Sequence, residues 1–152
     1  MLWRVIESKV LPLCVSEGIG QIVWSPVAQG VLTGKYLPGK KPPTGSRATD
    51  KKIGAEMISR WMRDEVLSAV QKLKPIAESL DLTMSQLALA WALANPNVSS
   101  VIMGASKPSQ VKENVKASGV KLTPGVLAEI DKALGQIPET NPERTESPNP
   151  RA

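Results

Sequence analysis

With 152 residues, 41% of them apolar and 22% charged, the chain can form one ordinary domain with a sizeable core, which excludes a disordered or fibrous class. The single cysteine, Cys14, excludes an intrachain disulfide and suits a reducing, cytoplasmic setting; a chain without histidine offers little to a metal ion. The net charge of +5 is concentrated in Lys35, Lys40, Lys41, Arg47, Lys51 and Lys52, opposed there only by Asp50. No signal peptide is visible, and no apolar run is long enough to span a membrane. Aromatic residues make up only 3% of the chain and Phe is absent, so aliphatic side chains must fill the core.

In chain order, residues 5–17 read as a first helix, interrupted or bent at Pro12. Its apolar positions Ile6, Val10 and Leu13 share a face with Cys14, which makes the thiol a small buried hydrophobe. Gly18 and Gly20 punctuate the exit into a strand, Gln21 to Trp24. A basic loop rich in Gly and Pro follows to about Ile53. Its charge could attract an acidic partner, nucleic acid or a polyphosphate ligand; a cofactor-phosphate loop comes first and a solvated surface second, while nucleic acid is disfavoured because interleaved aromatics and a docking motif are both lacking. From Asp64 to Leu80, Val66, Val70, Leu73, Ala77 and Leu80 recur at helical spacing, and Pro75 must bend or divide that helix.

The next helix has a legible start: Thr83 and Gln86 stand in capping-box register, with Leu82 and Leu87 as a hydrophobic staple. Leu87, Trp91 and Ala94 face one side, so Trp91 reads as a core residue, and Asn95-Pro96 stops the helix. A second strand, Val98 to Met103, ends at Gly104. Pro108 then opens a helix, where its missing N–H has no partner to lose. Thr123-Pro124 starts a last helix, with Leu127, Ile130 and Leu134 on one face and Gly135 closing it. Residues 136–152 hold four prolines and little apolar content, which predicts a mobile tail.

Strand, glycine turn and helix start around Gly104 make a candidate nucleotide site. Ser106 and Lys107 lie in the turn, where unpaired N–H groups and the helix dipole favour a phosphate. Gln110, Glu113 and Asn114 follow at helical spacing and share the adjoining face. The rival reading is an ordinary basic turn of an α/β protein. Two other motifs fail. Gly18-Ile19-Gly20 precedes a strand instead of opening a helix, unlike a dinucleotide fingerprint. Gly30-Val31-Leu32-Thr33-Gly34-Lys35 is one residue short of a P-loop, and Tyr36 replaces the hydroxyl that would ligate magnesium.

Three segments together resemble the aldo-keto reductases, in the branch containing the potassium-channel β subunits and their bacterial relatives. They are Gly104-Ala105-Ser106-Lys107-Pro108-Ser109-Gln110 with Glu113-Asn114, the run from Val23 to Tyr36, and Ser46-Arg47-Ala48. The resemblance covers roughly residues 1–137 and implies an α/β fold: the C-terminal portion of a (β/α)8 TIM barrel, with parallel strands and outer helices. It divides the chain into a C-terminal half of such a barrel, 1–137, and a Pro-rich mobile tail, 138–152.

The resemblance implies an NADP(H) site. Trp24 would stack on the nicotinamide, the alternative being a core residue at a strand end. Ser25, Pro26, Val27, Ala28, Gln29 and Gly30 would follow the pyrophosphate, largely through backbone N–H groups. Lys35 and Arg47 would bind phosphate charge. Gly104 would form the cofactor-binding turn, Ser106 and Lys107 would meet a 2′-phosphate, favouring NADP over NAD, and Gln110, Glu113 and Asn114 would hold the adenosine. The family reduces aldehydes and ketones with a tyrosine, a lysine, a histidine and an aspartate from the first half of the barrel. This chain has no histidine, and its one tyrosine, Tyr36, falls inside the cofactor-loop pattern. The resemblance therefore implies a cofactor-binding portion without the catalytic residues, inactive alone. Two parallel strands cannot close a barrel, so an N-terminal half-barrel chain or self-association is expected to complete it, and a small carbonyl substrate needs that half too. A non-catalytic NADP(H)-binding or interaction module is the alternative.

Overall fold

The computed structural model describes residues 1–145. Two strands, β1 (Gln21–Trp24) and β2 (Val98–Ile102), pair in parallel, with Ile22 opposite Ser100, Val23 opposite Val101 and Trp24 opposite Ile102. The register slips by one residue after Gln21, and Gly20 has no room for a side chain against Ser99 at that slip. The helices are α1 (Val10–Ser16), α2 (Gly54–Ser59), α3 (Asp64–Gln71), α4 (Lys74–Ser79), α5 (Met84–Leu93), α6 (Pro108–Val115) and α7 (Pro124–Leu134). Short 3-10 segments occupy Ala28–Thr33, Arg47–Thr49 and Pro142–Thr145.

The core lies among helices. Val66 and Val70 of α3, Ile76 and Ala77 of α4, Leu87 and Ala88 of α5, and Ile130 and Leu134 of α7 bury their side chains against Val31, Leu32 and Tyr36. α5 also packs on β2 and α6, so it joins the helical core to the sheet. Its start is held by the expected capping box: Thr83 Oγ1 accepts from Gln86 N at 3.2 Å, and Gln86 Oε1 accepts from Thr83 N at 2.9 Å. Thr123 caps α7 through its side chain alone, Oγ1 accepting from Val126 N at 3.3 Å, and Gly135, at φ 54°, closes the helix. Pro75 divides the predicted 64–80 helix into α3 and α4 and sits in the first turn of α4, where it removes no helical hydrogen bond.

Several expectations need correction. The first helix starts at Val10 instead of residue 5, which places Pro12 in the first turn, where a missing N–H costs nothing. Its buried residue is Leu11, whereas Leu13 is 61% exposed, so Cys14 is half-buried at the edge of the packed face and not at its centre. The Cys14 sulfur accepts from Gln21 Nε2 at 2.8 Å. Trp91 packs against the core as expected but is only partly buried, and the guanidinium of Arg4 lies over its ring, 4.6 Å from the centroid. Of the expected tail, residues 138–145 are described. Glu139 forms a parallel bridge with Trp3, donating its N–H to Leu2 O and accepting from Arg4 N. Residues 146–152 of that tail lie outside the described residues.

Arg4 gathers this end of the molecule: it donates to Asp131 Oδ1 at 2.7 Å and to Met1 O at 2.9 Å. The Met1 amine is buried, and burial pushes its pKa from 8.0 down to about 5, with the Arg4 charge adding and the Glu7 charge opposing. Burial pushes the Glu7 carboxyl up, against the nearby Arg4 charge.

Two predictions follow from this packing. Thr83→Ala should cost about 1 kcal/mol in urea denaturation. Gln86→Leu should cost about 2 kcal/mol, because it leaves both the Thr83 N–H and the Glu113 carbonyl unpaired. In addition, a chain carrying a free Met1 amine should gain stability as pH rises from 5 to 8. The unfolded amine binds a proton in that window and the folded one does not. Glu7 acts in the opposite direction above its ordinary value of 4.5, so thermal midpoints should be compared with an acetylated chain, which should lose only the amine's contribution.

Candidate functional site

Parallel pairing sends the chain out of both strands at the same end. Because Trp24 and Ile102 are register partners, the loop after β1 and the turn after β2 emerge side by side. The sheet alternation points Ile22 and Trp24 to one face, where Trp24 is 71% exposed. Among the described residues, therefore, nothing packs Trp24 into a core.

The loop after β1 is conformationally strained. Ser25, Ala28 and Gln29 have φ of 52°, 47° and 59°, and Gly30 has φ 102°. Left-handed conformations at residues with a Cβ cost roughly 1 kcal/mol each, and they concentrate where a binding surface is shaped. The turn is held by Ala28 N donating to Ser25 O and Gly30 N donating to Val27 O, both at 2.9 Å, over a buried Pro26. Side chains extend the brace. Arg47 Nη1 donates to Gln29 Oε1, and Gln29 Nε2 donates to Ser25 Oγ at 2.6 Å. Arg47 is thus brought to the β1 loop across 18 residues of sequence. Beside it the Ser46 hydroxyl is buried and unpartnered among the described residues. An open depression of about 440 Å³ is lined by Ser46, Arg47, Asp50, Ile53 and Met57.

Lys35 is exposed, with its Nζ over the Tyr36 ring at 5.2 Å from the centroid. A Cβ at Gly30 would meet Cε and Nζ of Lys35 at 3.5 Å, an ordinary contact, so it is the φ of 102° and not space that calls for glycine there. Tyr36 itself is 1% exposed and its hydroxyl has no partner among the described residues, which removes it from any open surface.

The turn after β2 builds a second depression, of about 530 Å³, lined by Ala105, Ser106, Lys107, Pro108, Val111 and Lys112. Gly104, Ser106 and Lys107 are all exposed. Gln110 folds back onto the turn: its Oε1 accepts from Ser106 N at 2.8 Å, Ser106 Oγ at 3.1 Å and Lys107 N at 3.2 Å. The N–H groups expected to await a phosphate are therefore capped by a side chain read from sequence as an adenosine contact. A ligand there must displace the amide of Gln110. Glu113 pairs with Lys116 at 2.9 Å, Asn114 is half-buried, and the Glu113 carbonyl accepts from Gln86 Nε2 at 2.7 Å.

Two supports escaped the sequence reading. Gln71, at the end of α3, donates to the carbonyls of Gly34 and Tyr36, each at 3.1 Å. Gln86, legible only as a capping residue, also ties α5 to α6. Both reach across long stretches of chain, and no local pattern marks such a contact. Among the described residues no group of three His, Cys, Asp or Glu could hold a metal ion, and no helix is long and apolar enough to cross a membrane.

Comparison with known proteins points the same way. The sequence model described as the aldo/keto reductase family matches residues 1–134. A probable voltage-gated potassium channel subunit beta of Arabidopsis thaliana is 46% identical over 144 residues, covering 93% of this chain and 42% of that protein. Its counterpart in Oryza sativa subsp. japonica is 44% identical with the same coverage. A putative subunit of the same description from Schizosaccharomyces pombe is 45% identical over 136 residues, 87% of this chain and 39% of that protein. The chain spans about two-fifths of the length of these curated relatives.

Gly30→Ala should lower the urea midpoint by the equivalent of about 1 kcal/mol, since φ 102° is strained for any residue with a Cβ. Gly104→Ala, which meets nothing within 4 Å, should leave it unchanged.

Proposed function

This chain belongs to the aldo/keto reductase family, and on that premise we propose that it is the NADP(H)-binding portion of an aldo-keto reductase, an oxidoreductase that reduces aldehydes or ketones by hydride transfer from NADPH. The observation that carries this reading is the convergence of the two basic loops at the C-terminal end of paired parallel strands, beside an exposed Trp24. The residues fit a ligand with a flat ring and several phosphates. Trp24 presents an open indole face, Ser46 holds a buried hydroxyl without a partner among the described residues, and Arg47 and Lys35 supply positive charge.

When bound, the dinucleotide supplies the hydride. Trp24 would orient the nicotinamide, Ser25 to Gly30 would shape the pyrophosphate path, and Lys35 and Arg47 would neutralise its charge. Ser106 and Lys107 would take the 2′-phosphate after Gln110 yields their N–H groups, and Glu113 and Asn114 would flank the adenosine. No residue of this chain is assigned as the carbonyl acid, because the one tyrosine is buried in the core and histidine is absent. In this reading a small carbonyl substrate requires the missing half of the barrel.

The open sheet supports a partner that completes it: Ile22, Trp24 and Ile102 are 63%, 71% and 60% exposed. An N-terminal half-barrel chain or self-association would cover that face. A cytoplasmic setting goes with the half-buried single thiol. The second reading, a non-catalytic NADP(H)-binding or interaction module, draws on the relatives described as potassium channel β subunits and would make a channel a partner of this chain.

Titration with NADPH, followed by tryptophan fluorescence with NADH as control, tests the proposal. Saturable binding that prefers NADPH is expected, and Lys107→Ala should weaken NADPH about tenfold while leaving NADH nearly unchanged. Equal losses for both would remove Lys107 from the 2′-phosphate. Carbonyl reduction on adding an N-terminal half would favour the enzyme, and cofactor binding that yields no reduction even with that half added would favour the module.

A further inference from the structure

We infer that Gln71 is a positioning residue for Lys35, holding that ammonium group where a cofactor phosphate can meet it; this rests on the NADP(H) reading above. The Gln71 side chain donates through a single nitrogen to two carbonyls, Gly34 O and Tyr36 O, each at 3.1 Å. An amide nitrogen carries two protons, one for each acceptor. Gly34 O lies in the peptide unit that enters Lys35 and Tyr36 O in the unit that leaves Tyr36, so the backbone is held on either side of the lysine by the same group.

The anchor is rigid at its other end. Gln71 closes α3, whose Val66, Leu67 and Val70 are fully or almost fully buried in the core. Beyond the lysine, the Tyr36 ring is buried and serves as a floor for Nζ at 5.2 Å. Gly34, at φ 76°, ends the 3-10 segment against the side chain of Met84. Lys35 is therefore exposed at its charge and fixed at its backbone. Fixing the backbone from which a long side chain extends reduces the ordering that binding must otherwise supply. Nothing in the sequence near Lys35 performs this task; the donor comes from a helix 37 residues away from Gly34.

The test is a double-mutant cycle on the full chain, with NADPH as probe and urea midpoints measured in parallel. Gln71→Leu should weaken NADPH about three- to tenfold, and should cause no further loss in a Lys35→Ala background. The same loss in both backgrounds, or no loss in the parent, would overturn the inference, because a merely structural glutamine would act regardless of the lysine. Should Gln71→Leu fail to fold, Gln71→Glu keeps the shape and removes the donors, and the same coupling is required of it. A parent chain that binds no NADPH overturns the cofactor reading and this inference with it; a parent that binds, with additive losses, overturns only the role of Gln71.

Discussion

The parallel pairing of β1 with β2 is the constraint on which the site depends. Two parallel strands need a long connection, and here that connection contains α2 to α5. Pairing Trp24 with Ile102 then fixes which residues leave the sheet together. Neither loop alone amounts to more than a basic turn. Placed side by side at one end of the sheet, they form a charged surface next to an open indole ring, and slipping the register by one residue would turn Trp24 to the opposite face.

The loops are irregular and their precision comes from elsewhere. The β1 loop carries left-handed residues that a free peptide would avoid, so something must hold it. The buried Val31 and Leu32 tie it to the helical core, and Gln71 and the Arg47–Gln29–Ser25 chain brace it from the side. α6 is held by Gln86, which is 4% exposed and spends both ends of its amide on backbone groups. Helix packing thus supplies rigidity, and amides carry it outward to the parts of the loops that lie beyond their buried side chains. A hydrogen-bonded amide suits this use, since a buried donor left unmade costs more than the bond gains.

Features governed by near neighbours were legible in the sequence. The strand from Gln21, the box at Thr83 and Gln86, the division at Pro75 and the closure at Gly135 each depend on residues within a few positions. What escaped depends on distant ones. Helical spacing alone could not say that Leu11, and not Leu13, faces the core, because that depends on which side of α1 has a neighbour. The docking of Glu139 on Leu2 and Arg4 joins the two ends of the described chain, and nothing in a Pro-rich segment announces it. Gln110 shows a subtler limit: its position on α6 was legible, but its amide turned toward the unpaired N–H groups of Ser106 and Lys107.

The division between core and sheet also bears on what the site can do. A sheet of two strands with unpaired outer edges contributes little stability, and the buried apolar side chains lie among the helices and the 3-10 segment. The sheet is consequently free to leave one face open. Trp24 is available to a flat ligand for the same reason that Ile22 and Ile102 remain in water. Burying those two isoleucines is favourable for any partner, at roughly 25 cal/mol per Å² of apolar surface covered. Burying Trp24 in the same contact would remove the ring from the ligand. Under the proposed function, the completing chain must therefore cover Ile22, which lies deeper along β1, and stop short of the strand end. Cofactor and partner then occupy adjacent parts of one face, and contacts that approach the end of the strand bring them into competition.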